Sequence, residues 1–282
     1  MRPFTAADAA AVAAVLDAAY AGDPVLREIS AVHAQPRGTL VAEAGDRVVG
    51  VGTLVESARH PSRRFLAGAV LPERRRQGHG SALLDALQQG SDRRPLLARV
   101  RELDDPGGRF LRAHGFALLM RNVTVVVDPA SVGTWIEAHR GDVGRPRSNE
   151  ALALAHEDAY RRQHATWSPT TERPLDESLR IFCGTSLVEA AVADGGVASL
   201  HGAPFAERSD ELALVAGAAN EATARMLVAH ALERAKALGK LLSIEADEAD
   251  APMWRIANEV PHVRAAALVL LATDVTSPPA AT

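Results

Sequence analysis

An internal repeat is the feature that most constrains this chain of 282 residues. One unit recurs at an offset of about 140–147 residues. The helical pattern of 9–20 is matched by 150–160, and each ends in an Ala-Tyr pair. Val- and Leu- or Ala-rich runs at 39–55 and 186–201 turn at Gly45-Asp46 and Asp194-Gly195-Gly196, which predicts a β-hairpin in each half. Strand-like 65–71 and 211–215 come next, each followed by an apolar helix, at 81–89 and 224–238. Strands at 95–100 and 240–245, short helices at 108–114 and 252–259, and last strands near 118–127 and 265–271 complete the units. This order predicts an α/β chain (an α+β mixed sheet) of two tandem domains, each a mixed, mostly antiparallel sheet flanked by helices. The Gly/Pro/Arg-rich stretch 141–148 reads as the linker, giving domains at 1–130 and 146–275. The Ser/Pro/Ala tail from Thr276 reads as frayed.

Composition removes several classes of function. The single cysteine, Cys183, excludes a disulfide framework or a cysteine-rich zinc site and reads as a small buried hydrophobe. The ten histidines, from His33 to His262, show no ligand spacing with carboxylates, so no metal is expected. A net charge of −4 gives no reason to expect nucleic acid. No segment approaches the ~20 apolar residues of a membrane span, and Met1-Arg2-Pro3-Phe4 opens no long apolar run, so no membrane and a cytoplasmic location are expected. Only Lys236 and Lys240 are lysines, an arginine bias that suggests a GC-rich bacterial genome. Residues 1–141 hold 18 basic against 15 acidic side chains, and 142–282 hold 13 against 20. The first half is the better host for an anion.

That half also carries the most informative segment. A strand ends at Val70-Leu71-Pro72, the basic loop Arg74-Arg75-Arg76-Gln77-Gly78-His79-Gly80 follows, and a helix begins near Ser81. The first N–H groups of a helix lack intrahelical partners and carry the positive end of its dipole, so an anion there satisfies both. Gly78 and Gly80 would let the backbone approach a phosphate closely, and the arginines add permanent charge.

These residues resemble the GNAT superfamily of acyl-CoA-dependent N-acyltransferases. Its Arg/Gln-x-x-Gly-x-Gly/Ala loop matches Arg75 to Gly80, its Val-x-Pro lead-in matches Val70 to Pro72, and its Gly-Phe signature matches Gly115-Phe116. The resemblance covers 2–127 and continues, weakened, over the second half. It implies acetyl-CoA as cosubstrate, held by Ala69, Val70 and Leu71 at the strand end and by Arg75, Arg76, Gln77, Gly78, His79, Gly80 and Ser81, with the Val70 N–H as oxyanion donor. A small-molecule or peptide amine would be acetylated by direct attack in a ternary complex. Oligomeric state stays open between monomer and homodimer.

The resemblance fails at particular places. The position of the family's thiolate-protonating tyrosine is Leu111, and that of its asparagine is Asp104. Glu56 and Glu102 are the candidate general bases, although solvated strand-end carboxylates are the plainer reading of both. His60, His79 and His114 have suitable ordinary pKa values. Tyr20 either lines the acceptor site or packs a helix. In the second half Ala219-Asn220-Glu221-Ala222-Thr223 replaces the basic loop and Val260-Pro261 replaces Gly-Phe, so that copy reads as degenerate. The alternative to an enzyme is a non-catalytic acyl-CoA-binding or regulatory protein that keeps the fold.

Overall fold

The computed structural model describes residues 1–32, 38–90, 92 and 94–275. His33 and the tail from Thr276 lie outside the described residues. In chain order the elements are β1 (Arg2–Pro3), α1 (Ala9–Ala19), α2 (Pro24–Val32), β2 (Thr39–Ala44), β3 (Arg47–Glu56), β4 (Arg64–Val70), α3 (His79–Gln89), β5 (Leu96–Val100), α4 (Pro106–Ala113) and β6 (Ala117–Val127). They continue with α5 (Gly133–His139), α6 (Asn149–His164), α7 (Leu175–Phe182), β7 (Leu187–Ala193), β8 (Gly196–His201), β9 (Glu211–Ala218), α8 (Glu221–Ala237), β10 (Leu241–Asp247), α9 (Ala251–Glu259) and β11 (Arg264–Ala272). Both hairpins turn where the sequence places them, through Gly45 at φ +61° and Gly195 at φ +70°. The mixed, mostly antiparallel sheets flanked by helices are the expected fold class.

The repeat extends further than the sequence pattern shows. A second helix stands between the first helix and the first hairpin of each half: α2 in one, α7 in the other. Asp23-Pro24 is the start signal of α2. The Asp23 carboxylate accepts the Leu26 N–H at 3.0 Å, and proline suits the first helical turn.

The chain forms two compact units, Met1–Leu119 with Val269–Thr282, and Met120–Leu268. These differ from the expected 1–130 and 146–275 in two respects: the expected linker 141–148 lies inside the second unit, where Gly144 and Val192 exchange backbone hydrogen bonds of 2.8 and 2.9 Å, and the last strands are exchanged. Asn122–Val127 of β6 pair antiparallel with β10 in the second unit. Val269–Ala272 of β11 pair antiparallel with β5 in the first. Both strands are largely apolar. Alternation fixes which face of a strand is buried, not which edge it joins.

In the first unit β4 and β5 run parallel while β2–β3 and β3–β4 are antiparallel. Val12, Val15 and Leu16 of α1 pack with Val41, Val49 and Val51. Leu84 and Leu87 of α3 pack with Leu96, Ala98, Leu111, Phe116 and Leu271. In the second unit β9 and β10 are the parallel pair. Leu227, Val228 and Leu232 of α8 are fully buried there against Leu242, Ile244 and Ile256. Each such side chain contributes roughly 1.5–3 kcal/mol of burial.

Candidate functional site

The site starts from where β4 loses its neighbour. β3 pairs with β4 along its whole length, from Glu56↔Arg64 to Gly50↔Val70. β5 pairs with it only from Arg64 to Leu66. Beyond Leu66 one edge of β4 is open. Extended strands turn successive N–H and C=O groups to opposite edges. Arg64 donates its N–H to Pro95 O on the β5 side (2.9 Å), and Leu71 donates to Val49 O on the β3 side (2.9 Å). Gly68 and Val70 therefore present their backbone groups to the open edge, whereas Ala69 and Leu71 spend theirs on β3. Of the three strand-end residues named from the sequence, Val70 alone offers a free N–H here, and Gly68 joins it. Gly68 was not legible in the sequence, because only the register of β4 reveals it. It has no room for a side chain: a β-carbon would stand 2.7 Å from Val51 O.

The loop after β4 leads directly to the start of α3. Arg76 sits at φ +62° and Gly78 at φ +83°, with Gln77 between them at negative φ. Such alternation can draw consecutive N–H groups toward one point, as in anion-binding nests. Among the described residues no N–H from Arg76 to Ser81 makes a backbone hydrogen bond, while Ala82 N–H returns to Gly78 O at 3.0 Å. A non-glycine residue in the left-handed region costs about 1 kcal/mol, and Arg76 is held there in an exposed loop. Gly78 faces open space, with nothing within 4 Å of a built β-carbon. Gly80 does not: its β-carbon would meet the Phe110 ring at 3.3 Å, so this glycine serves the packing of α3 on α4.

Side chains around the loop divide into two groups. Arg76 points no hydrogen bond at the protein among the described residues. Arg75 turns inward, with Nε on Val70 O and Nη2 on Ala19 O, both at 3.3 Å. The Gln77 amide folds back to Glu73 O at 3.3 Å. Ser81 donates its hydroxyl to His114 Nε2 at 3.0 Å, since His114 Nδ1 holds its proton on Phe110 O at 2.8 Å. His79 is the first residue of α3 and half-exposed.

The open edge of β4 is walled by α1 and α2. Tyr20, at the end of α1, donates its hydroxyl to Gly68 O at 2.7 Å. Burial raises its pKa, so the phenol stays protonated at neutral pH. Arg101, one residue past β5, forks onto both Asp23 oxygens at 2.7 Å. Arg101 holds the Asp23 carboxyl below its ordinary pKa. The sequence had not singled out this pair.

The two proposed bases part company. Glu56 lies at the far end of the hairpin, paired with Arg64, six residues or about 20 Å along β4 from Val70. Arg64 (2.6 Å) and Arg94 (2.7 Å) clamp its carboxylate and lower its pKa. A carboxylate so held is a poor proton acceptor, so the geometry removes Glu56 from the site. Glu102 is exposed two residues past β5, and among the described residues its carboxylate has no hydrogen-bond partner. Leu111 is buried in the core. Asp104 pairs with Arg112 at 2.8 Å. His60 is buried edge-on to Phe65. No group of three or more potential metal ligands occurs among the described residues.

The second unit repeats this geometry with its openings filled. β10 pairs with β9 only from Glu211 to Leu214. Gln163 of α6 reaches into the gap, its Nε2 on Asp250 Oδ2 (2.5 Å) and Ala216 O (3.3 Å). A β-carbon on Gly217 would strike Ala159 Cβ at 2.5 Å, so α6 packs flush on β9. The start of α8 is closed as well. Asn220 Oδ1 accepts the Thr223 N–H at 2.9 Å, and the Glu221 carboxylate, bound by Arg225 and Arg255, occupies the first turn.

Residues 35–118, from the β2 approach through the loop and α4, match the family model of the acetyltransferase (GNAT) domain. Among solved structures, a GCN5-related N-acetyltransferase from Sphaerobacter thermophilus superposes with a TM-score of 0.59 at 14% identity, over 96% of this chain and 94% of that one. One from Kribbella flavida gives 0.57 at 16%, over 96% and 69%. An acetyltransferase structure from Pyrococcus horikoshii gives 0.57 at 15%, over 96% and 87%. At these identities the likeness is one of fold, and the fold is that of the GNAT acetyltransferases. No curated protein matches the sequence. No helix among the described residues is long and apolar enough to cross a membrane.

Proposed function

We propose that the chain is an acyl-CoA-dependent N-acetyltransferase whose first unit carries the reaction and whose second unit is a decayed copy. One observation carries this reading: the open edge of β4, with free N–H groups at Gly68 and Val70, runs straight into the six unpaired N–H groups of 76–81. The nest and the α3 dipole suit the pyrophosphate of acetyl-CoA, and Arg76 adds charge to them. The open edge suits the extended arm that ends in the thioester. A donor fixed on that edge stabilises the developing oxyanion, an effect worth about 2.7–4 kcal/mol in comparable sites. A neutral amine attacks the thioester carbon, the C–S bond breaks, and free thiol leaves. Holding both reactants in one gap supplies much of the barrier reduction. Glu102 is the remaining candidate for the base that takes the amine proton.

In the second unit, Asn220, Glu221 and Gln163 fill the anion and thioester places. One acetyl-CoA per chain is therefore expected. Leu111 keeps the second reading in view, a chain that binds acyl-CoA without turning it over.

Calorimetry with acetyl-CoA tests the binding step. The intact chain should bind one equivalent. Arg76→Glu, which reverses charge at an exposed side chain, should weaken binding at least tenfold with unchanged thermal unfolding. Absence of binding by the intact chain would overturn both readings. Binding without thiol release on addition of amino-sugar, polyamine, amino-acid and peptide amines would leave the non-catalytic one.

A further inference from the structure

We infer that Tyr20 is the acid that protonates the departing thiolate, a role that rests on the acyl-transfer reading above. The argument is one of placement. Along the open edge of β4 the backbone groups fall in the order Gly68 N–H, Gly68 C=O, Val70 N–H, Val70 C=O, with about 7 Å per repeat. The Tyr20 hydroxyl sits on the second of these, at 2.7 Å from Gly68 O. It is thus flanked by the two N–H donors available to a thioester oxygen. Whichever donor takes that oxygen, the phenol stands one backbone group away. The helix position that would otherwise bring an acid, Leu111, is turned into the core and has no proton to give.

The surroundings of the phenol suit a group that gives up a proton and regains it. Burial keeps it protonated at rest. Ser30, buried on α2, hydrogen-bonds the phenol oxygen, and the Arg75 guanidinium lies close by; both favour the phenolate once it forms. Asp23 and Asp105 face it as well and oppose that charge, although Asp23 is itself neutralised by Arg101. The step balances. The amine nitrogen forms the C–N bond, the C–S electron pair goes to sulfur, and sulfur takes the Tyr20 proton. The phenolate is then reprotonated by the proton the amine nitrogen releases. The products are the acetamide and the free thiol.

The chain's tyrosine count makes the test specific, because Tyr20 and Tyr160 are the two tyrosines present. In a Tyr160→Phe background, thiol release from acetyl-CoA with an accepted amine would be followed across pH. Tyr20→Phe should lower kcat by about 100-fold, the usual scale of acid catalysis, with acetyl-CoA affinity within twofold. It should also abolish the high-pH decline in kcat. Biosynthetic replacement of tyrosine by 3-fluorotyrosine, a more acidic phenol of nearly the same shape, should move that decline to lower pH. Tyr20→Phe turning over as fast as its parent, or a pH profile unmoved by fluorination, would overturn the role while leaving acyl transfer intact. A parent that binds acetyl-CoA yet releases no thiol with any amine would overturn the catalytic reading and the acid with it.

Discussion

Gly80 and Phe110 touch at the start of α3, where a β-carbon on residue 80 would stand 3.3 Å from the ring. The missing side chain at the second glycine of the loop thus answers to α4. In the intact chain Gly80→Ala gains helix propensity of about 1 kcal/mol and loses a comparable amount to crowding. Removing the crowding should uncover the gain. Phe110→Leu followed by Gly80→Ala is expected to show a coupling of at least about 0.5 kcal/mol in a denaturant double-mutant cycle. Additive effects would show that ring and glycine do not constrain each other.

Gly68 offers no such latitude, because its neighbours are backbone: Val51 O at 2.7 Å and Gly52 Cα at 3.1 Å from a built β-carbon. Gly68→Ala must push β4 away from β3, at a cost of about 1–3 kcal/mol. The same shift misplaces the Gly68 and Val70 N–H groups. Stability and turnover should therefore fall together, with the loss in kcat exceeding any change in acetyl-CoA affinity. A variant of normal activity would remove the β4 edge from the reaction.

The two strand-end glutamates should separate cleanly. Glu56 is already committed to Arg64 and Arg94, so Glu56→Gln should leave turnover within twofold. Glu102→Gln should lower it by about 100-fold, and an external amine buffer of suitable size should restore part of the loss. Equal, small effects from both substitutions would leave the attacking amine to lose its proton to solvent.

Acid should weaken the second unit. His156, His201 and Ser199 are buried together, with the Ser199 hydroxyl oxygen 2.9 Å from His156 Nε2 and 2.8 Å from His201 Nε2. Burial, aided by the nearby His201, lowers the His156 pKa to about 3, and burial lowers that of His201 to about 4. The unfolded imidazoles titrate near 6.5. Between those values and pH 6.5 the unfolded chain binds more protons, so stability is complete above pH 6.5 and falls as pH drops. His156 alone accounts for a loss on the order of 3 kcal/mol by pH 4. Urea denaturation from pH 7 to pH 4 should show this slope, flattened in His156→Gln. An unchanged slope in that variant would trace the acid sensitivity to other groups.

Much of the fold is legible in the sequence because local signals carry it. The glycine turns at 45 and 195, the apolar periods of α3 and α8, and the strand lengths all follow from short-range chemistry. The basic loop is legible for the same reason, since Arg76 to Ser81 are consecutive residues. What escapes is long-range. Gly68 matters through register, Tyr20 through a contact 48 residues away in sequence, and Glu56 loses its expected place through two arginines that no motif ties to it. The partners of β6 and β11 belong to this class too, because an apolar strand encodes a buried face and leaves the choice of edge to the assembled chain.

That exchange makes the chain hard to cut in two. A fragment cut at the 141–148 stretch would carry β6 without β10, and a sheet whose β5 lacks Val269–Ala272 beside it. Residues 1–145 and 146–282 should each aggregate when expressed alone and recover when expressed together. On the reading proposed above, the second copy is free to lose its chemistry and is not free to be deleted. On that reading its persistence needs no activity of its own, only the four residues Val269–Ala272 that pair with β5.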